Sequence, residues 1–125
     1  MHKAKNFFIE NWNDEKHLIH CQAVINSCLG MVQNTDFNVD VFIIAGWIHD
    51  MGKTISVENH HKFAEPLLDK FFEMNPIYKY LKPEIMDCII NHRTSGKPET
   101  IYGQVFKVAD KIALRNLRWL RFYNK

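Results

Sequence analysis

Residues 38–53 read NVDVFIIAGWIHDMGK, an apolar run that ends in an adjacent histidine and aspartate, with a glycine two positions further on. Asn38 is a good helix cap, and the residues after it are apolar nearly all the way round a helical wheel. This predicts a central, buried helix running through His49 and Asp50 to Met51, with Gly52 as its left-handed stop. Burying such a polar pair without partners costs roughly 2–7 kcal/mol for the polar group alone. The end of a helix also concentrates unsatisfied carbonyls and partial negative charge, which favours a nearby cation. Asp50 can bridge two metal ions with its two oxygens while His49 binds one of them through a ring nitrogen, which would satisfy both residues.

Outward from this run, the chain reads as helices joined by short polar turns. A long helix begins near Asn13 or Asp14 and runs to about Val32, with Leu18, Cys21, Val24, Ile25, Cys28 and Leu29 at helical spacing. A third begins near Asn59 and carries Phe63, Leu67, Leu68, Phe71 and Phe72, until NPIYKYLKP ends it. Pro83 suits the first position of a fourth helix, through EIMDCIINHR. TSGKPET is a loop, and a last helix runs from about Tyr102 to Tyr123 with Val105, Phe106, Ala109, Ile112, Ala113, Leu117 and Leu120. Strand patterns are absent, so the expected class is all-α, a compact helical bundle of five to seven helices forming a single domain over 1–125. Met31, Met51, Met74 and Met86 are expected as core filler.

Composition narrows the function classes. Hydrophobic residues make up 46% and charged residues 24% of 125 positions, ordinary globular values. No apolar run approaches the roughly 18 residues needed to span a membrane. The N-terminal segment carries acids and lacks the pattern of a signal peptide, so a cytoplasmic location is expected. Cys21, Cys28 and Cys88 form no CxxC pair, and read as reduced, buried apolar residues rather than metal ligands. A formal charge of +2 is too small to argue for nucleic acid. The terminal LRNLRWLRFYNK alternates Arg115, Arg118 and Arg121 with apolar residues, and reads as an amphipathic helix with solvated arginines that could contribute to a homodimer interface.

Seven histidines are the compositional outlier. His20 falls in line with Val24 and Cys28, His60 with Phe63, Ala64, Leu67 and Phe71, His92 with Ile85 and Ile89, and Asp110 with Phe106, Ala113 and Leu117. Any one of these is most simply a core residue with an ordinary hydrogen-bond partner. Five or six converging in so small a core would be mutually costly unless a cation organised them. Histidine with carboxylate suits zinc or a first-row divalent metal.

With these residues in view, the chain resembles the HD superfamily of metal-dependent phosphohydrolases, an all-helical fold named for its His-Asp doublet. The likeness covers roughly His17 to Leu114 and rests on HLIHCQAV, WIHDMGK and FKVADKI. HDMGK also matches the HDxGK form of the dinuclear branches, while HHKFAEPLL and IINHRTSGK resemble their further histidine segments. The resemblance implies His20, His49, Asp50 and Asp110 as core metal ligands, with His60 and His92 as ligands of a second ion. The doubled His60-His61 leaves two candidates, of which His60 fits the spacing to Ala64 better. The chain departs from the pattern at Ala64-Glu65, where small residues are usual. It departs again at His17, where a basic phosphate contact often stands. It has no GYP-type segment, so cyclic-di-GMP is not an expected substrate.

The resemblance implies a metal-activated water attacking a phosphoester or phosphoanhydride of a nucleotide or another small phosphorylated metabolite. One or two divalent ions are expected, with iron, manganese, zinc, magnesium, cobalt and nickel all compatible. Asp50 is expected to bridge the ions and orient the water. Lys53 is the first expected contact for substrate phosphate, with Arg93 and Lys97 next and Lys111 weaker. Glu65, His61 and Asp87 are alternatives for a general acid. A catalytically idle metal-binding or ligand-sensing module acting through a partner is the alternative function.

Overall fold

The computed structural model describes residues 2–56 and 58–123, with side chains described as far as Arg115. The described residues form six α-helices and three short 3₁₀ segments joined by turns and loops, with no strand among them. The helices are α1 (Lys3–Asn11), α2 (Glu15–Met31), α3 (Val39–Ile48), α4 (Ala64–Met74), α5 (Lys82–Asn91) and α6 (Ile101–Tyr123). Met51–Thr54, His60–Lys62 and Pro76–Leu81 are 3₁₀.

The helix starts follow from capping chemistry. Asp14 accepts a hydrogen bond from the His17 amide, and Asn38 accepts one from the Asp40 amide, each satisfying an otherwise orphan donor. Asn13 takes the left-handed conformation (φ 44°) that turns the chain between α1 and α2. Helix α1 was not expected, although Ala4, Phe7 and Phe8 are buried at helical spacing against the core. It lies against α3.

Helix α3 is central, with Val41, Phe42, Ile44, Ala45, Gly46, Trp47 and Ile48 all buried. It packs on α1, α2 and α5, while α6 packs along α2 and α5. A Cβ on Gly46 would collide with Ile25 Cγ1, so glycine permits the close approach of α2 and α3. Phe8, Phe42, Phe71 and Phe106 are fully buried, each contributing about 1.5–3 kcal/mol relative to exposure. Cys21, Cys28 and Cys88 are buried free thiols, as expected.

Several expectations need correction. Helix α3 ends at Ile48, and His49 is its C-terminal cap, so Asp50 lies on the turn beyond it. No described glycine has positive φ, so Gly52 is not a left-handed stop. A Cβ there would instead run into the backbone carbonyl of His60, and glycine is required for that close approach. Helix α4 starts at Ala64, not near Asn59. Pro66 lacks the amide that an α-helix through Lys62 would need, which confines the helix start to the residues just before it. Pro83 occupies the second helical position of α5, where a missing amide is equally harmless. Met31 and Met74 are 45% and 58% exposed rather than core filler, whereas Met51 is fully buried. Ile112 is also exposed. The expected roles of Leu117, Arg118, Trp119, Leu120, Arg121, Phe122 and Tyr123 fall outside the described side chains.

Candidate metal centre

Six elements deliver polar side chains to one place. His20 comes from the interior face of α2, His49 from the end of α3, and Asp50 from the turn that follows. His60 stands on the 3₁₀ turn before α4, His92 caps α5, and Asp110 projects from the buried face of α6. His20, His49, Asp50, His92 and Asp110 are the buried polar residues of the described core.

Asp50 is the centre of the cluster. Its Oδ2 lies 3.3 Å from His49 Nε2, 3.8 Å from His20 Nε2 and 3.6 Å from Lys53 Nζ. Its Oδ1 faces the other way, 3.6 Å from His60 Nε2. Asp110 Oδ1 is 3.0 Å from His20 Nε2 and 3.6 Å from His49 Nε2. Two groups of potential donors share Asp50: His20, His49 and Asp50, and Asp50, His60 and His92, with donor atoms in each group within 4.8 Å of one another.

The hydrogen bonds at the rear of the histidines set which nitrogen faces inward. His49 Nδ1 donates to the Gly46 carbonyl at 2.8 Å, and His92 Nδ1 donates to the Ile89 carbonyl at 2.5 Å. Each arrangement turns Nε2 toward the cluster, the orientation that a metal-binding imidazole receives from a backbone carbonyl. Nε2 of His49 and Nδ1 of His20 are buried without a hydrogen-bond partner among the described residues. A buried unpartnered ring nitrogen beside two carboxylates fits a cation, because the ion supplies what no protein donor does.

The electrostatics agree with that fit. Burial resists ionisation of Asp50, but the charge of His49 outweighs it and holds the carboxyl well below the usual range. Asp110 is likewise held low against burial, through the hydrogen bond it accepts from His20 and the nearness of His49. Burial would also strip His49 of its proton, yet the Asp50 charge and the neighbouring Asp110 raise it well above an ordinary histidine. His92 is pushed down to about 4 by burial and by repulsion from His49, so at neutral pH its ring is uncharged, as ligation requires.

Above the cluster opens a cavity of about 250 Å³. His20, Asp50, His60, His92 and Asp110 line its floor, with Lys53, Arg93, Thr94, Lys111 and Leu114 around them. Of the cations expected near substrate, Lys53, Arg93 and Lys111 therefore line the cavity. Lys97 does not: it is exposed on the 92–100 loop, its amide bonded to Asn91 Oδ1 at 3.3 Å.

The doubled histidine divides its duties. His60 turns toward Asp50, while His61 Nε2 accepts a hydrogen bond from Arg93 Nη1 at 3.3 Å. Glu65 and Asp87 are occupied elsewhere. Glu65 pairs with Lys82 at 3.0 Å. Asp87 accepts from the Thr100 hydroxyl at 2.6 Å, the Thr100 amide at 2.8 Å and the Asn91 side chain at 2.8 Å, and lines no part of the cavity. His17 stacks on Trp12, ring centres 4.1 Å apart, and also lies off the cavity.

Lys107 is a residue that helical spacing alone did not single out. Its Nζ donates to the carbonyls of Thr94 at 3.2 Å and Gly96 at 2.6 Å, pinning the loop that presents Arg93 and Thr94. Its one legible signal is its place on α6 a single turn before Lys111.

The HD domain family model matches residues 17–115. A stretch of 33 residues, 26% of the chain, is 54% identical to a "Deoxyguanosinetriphosphate triphosphohydrolase-like protein" of Caldanaerobacter subterraneus subsp. tengcongensis. That match spans 10% of the relative's length. No solved structure matches the chain. Among the described residues, no helix is long and apolar enough to cross a membrane.

Proposed function

This chain belongs to the HD domain family, and on that premise we propose that it is a metal-dependent phosphohydrolase with a two-ion centre, acting on a nucleotide or a related small phosphorylated metabolite. The observation that carries the reading is the division of the Asp50 carboxylate, with Oδ2 toward His20 and His49 and Oδ1 toward His60. One carboxylate with histidines on both sides is the donor arrangement a bridged pair of ions requires. On this reading His20, His49, Asp50 and Asp110 hold one ion, and Asp50, His60 and His92 the second. The ions, when bound, supply activation of water and neutralisation of phosphoryl charge at neutral pH.

The chain's own residues do the rest. Rear hydrogen bonds to Gly46 and Ile89 keep the His49 and His92 rings oriented before any ligand arrives. Lys53, 3.6 Å from Asp50, sits where a phosphoryl oxygen over the centre would meet a fixed positive charge. Arg93, held by His61 at the rim, offers a planar two-pronged donor to the same phosphate. The nucleotide part of the proposal draws support from the printed name of the triphosphohydrolase-like relative.

Elemental analysis of the purified protein, joined to a phosphate-release screen over nucleotides and sugar phosphates with several divalent metals, tests the proposal. Stoichiometric metal and turnover that Asp50→Ala abolishes are the expected results. Absence of both metal and turnover would overturn it.

A further inference from the structure

The cavity over the histidines continues outward along α6. A second depression of about 410 Å³ is lined by Thr94, Lys111, Leu114 and Arg115. Thr94, Lys111 and Leu114 also line the inner cavity, so the two hollows share a wall and run together from Asp110 toward Arg115. Along the helix axis that distance is about 7.5 Å, five residues at the α-helical rise.

The charge changes along this path. The inner cavity holds Asp50 and Asp110, and two of its three cations have partners there: Lys53 meets Asp50, and Arg93 meets His61, while Lys111 stands where the two hollows join. Among the described residues that line the outer hollow, Lys111 and Arg115 are cations and none is acidic. Lys111 and Arg115 stand four residues apart, on one face of α6, where like charges repel. Among the described residues, neither is paired with a carboxylate. An anion lying between them would relieve the repulsion and satisfy both, the guanidinium through two parallel bonds and the ammonium as a point charge.

We propose that Lys111 and Arg115 form a second anion subsite, so that the preferred substrate carries a phosphate chain or a second phosphate beyond the one attacked. A simple phosphate monoester would leave the outer hollow unfilled. This rests on the phosphohydrolase reading and deepens it from "phosphorylated metabolite" to a polyphosphorylated one. The inner cluster handles the scissile group, while the outer cations hold the remainder of the chain. Leu114 offers an apolar edge beside it.

Calorimetric titration of the protein as purified with inorganic triphosphate, orthophosphate and a nucleoside triphosphate tests the subsite directly. Triphosphate is expected to bind more tightly than orthophosphate. The Arg115→Ala variant, whose side chain lines the outer hollow and not the inner cavity, is expected to weaken triphosphate binding about tenfold with orthophosphate binding unchanged, and adding Lys111→Ala should deepen the triphosphate loss. Both side chains are exposed, and circular dichroism checks that the variant keeps its helices. A nucleoside triphosphate binding better than the bare chain assigns the substrate to nucleotides, and equal binding assigns it to the phosphate chain alone; either result supports the subsite. Equal losses for triphosphate and orthophosphate, or no loss for either, would overturn it. Binding that depends on the two residues without any turnover would keep the subsite and remove the hydrolase. Turnover indifferent to them would do the reverse.

Discussion

The imidazole of His20 and the carboxylate of Asp110 meet at 3.0 Å although ninety positions separate them in the chain. Helices α2 and α6 pack along one another, and this contact is where their buried polar faces coincide. An uncompensated carboxylate pair in that seam costs stability, and a bound cation removes the cost.

Metal removal should therefore destabilise the fold. A divalent ion at a hundred times its Kd adds about 2.7 kcal/mol by linkage. In a chain of this size that amounts to roughly 10 °C in Tm. Differential scanning fluorimetry with and without a chelator reads the shift, and in Asp110→Asn the chelator should change Tm far less. Identical melting of the wild-type protein in both conditions would count against a resident ion.

Gly52 has no room for a side chain, because the His60 carbonyl occupies the place of its Cβ. Gly52→Ala should push the 60–62 turn away from Asp50, at a cost of about 1–3 kcal/mol. On the two-ion reading, the site that includes His60 is lost first. Metal analysis should find the bound stoichiometry reduced by one ion per chain while the helical signal persists.

Lys53 should matter to turnover more than to metal binding. Its ammonium lies 3.6 Å from the Asp50 carboxylate and lines the cavity. Replacing it by methionine keeps the apolar stem and removes the charge. Turnover should fall about a hundredfold, the scale seen when one preorganised donor is removed, with metal content unchanged.

Asp87 links the C-terminal half of α5 to the start of α6. Burial opposes its charge, but hydrogen bonds from Thr100, Glu99 and Asn91 prevail and lower its pKa. A carboxyl lowered on folding stabilises the protein above its unfolded value of about 3.9, and that contribution disappears as pH falls through the lower folded value. Asp87→Asn should cost about 1 kcal/mol at pH 7. Urea melts at pH 7 and near pH 2.5 should show the gap between wild type and variant closing in acid.

Lys107→Met should release the carbonyls of Thr94 and Gly96 and loosen the loop that carries Arg93. The expected result is a severalfold rise in KM with kcat nearly unchanged, since the side chain positions a binding residue without touching substrate. Steady-state kinetics separates the two constants.

Much of this architecture was legible from local chemistry. Asp14 and Asn38 cap helices because their side chains answer amides two or three residues away, and that relation needs no tertiary structure. The inward aim of His20, His92 and Asp110 follows from the apolar residues sharing their faces, since helical periodicity decides which side of a helix is buried. The same logic would have exposed α1 through Ala4, Phe7 and Phe8.

Other features were decided only by packing between distant segments. Whether His60 or His61 turns inward depends on the backbone of residue 60 lying against Gly52, because adjacent positions on a short turn carry no periodicity to separate them. Lys97 and Arg93 are equally basic in the sequence, yet only Arg93 lines the cavity. Glu65 and Asp87 stand as acids available for chemistry until Lys82 and Thr100 claim them. Capping and periodicity act over a few residues and are written into the chain itself. Which oxygen of Asp50 faces which histidine depends on how five separate segments close around it, and that arrangement exists only once the core has formed.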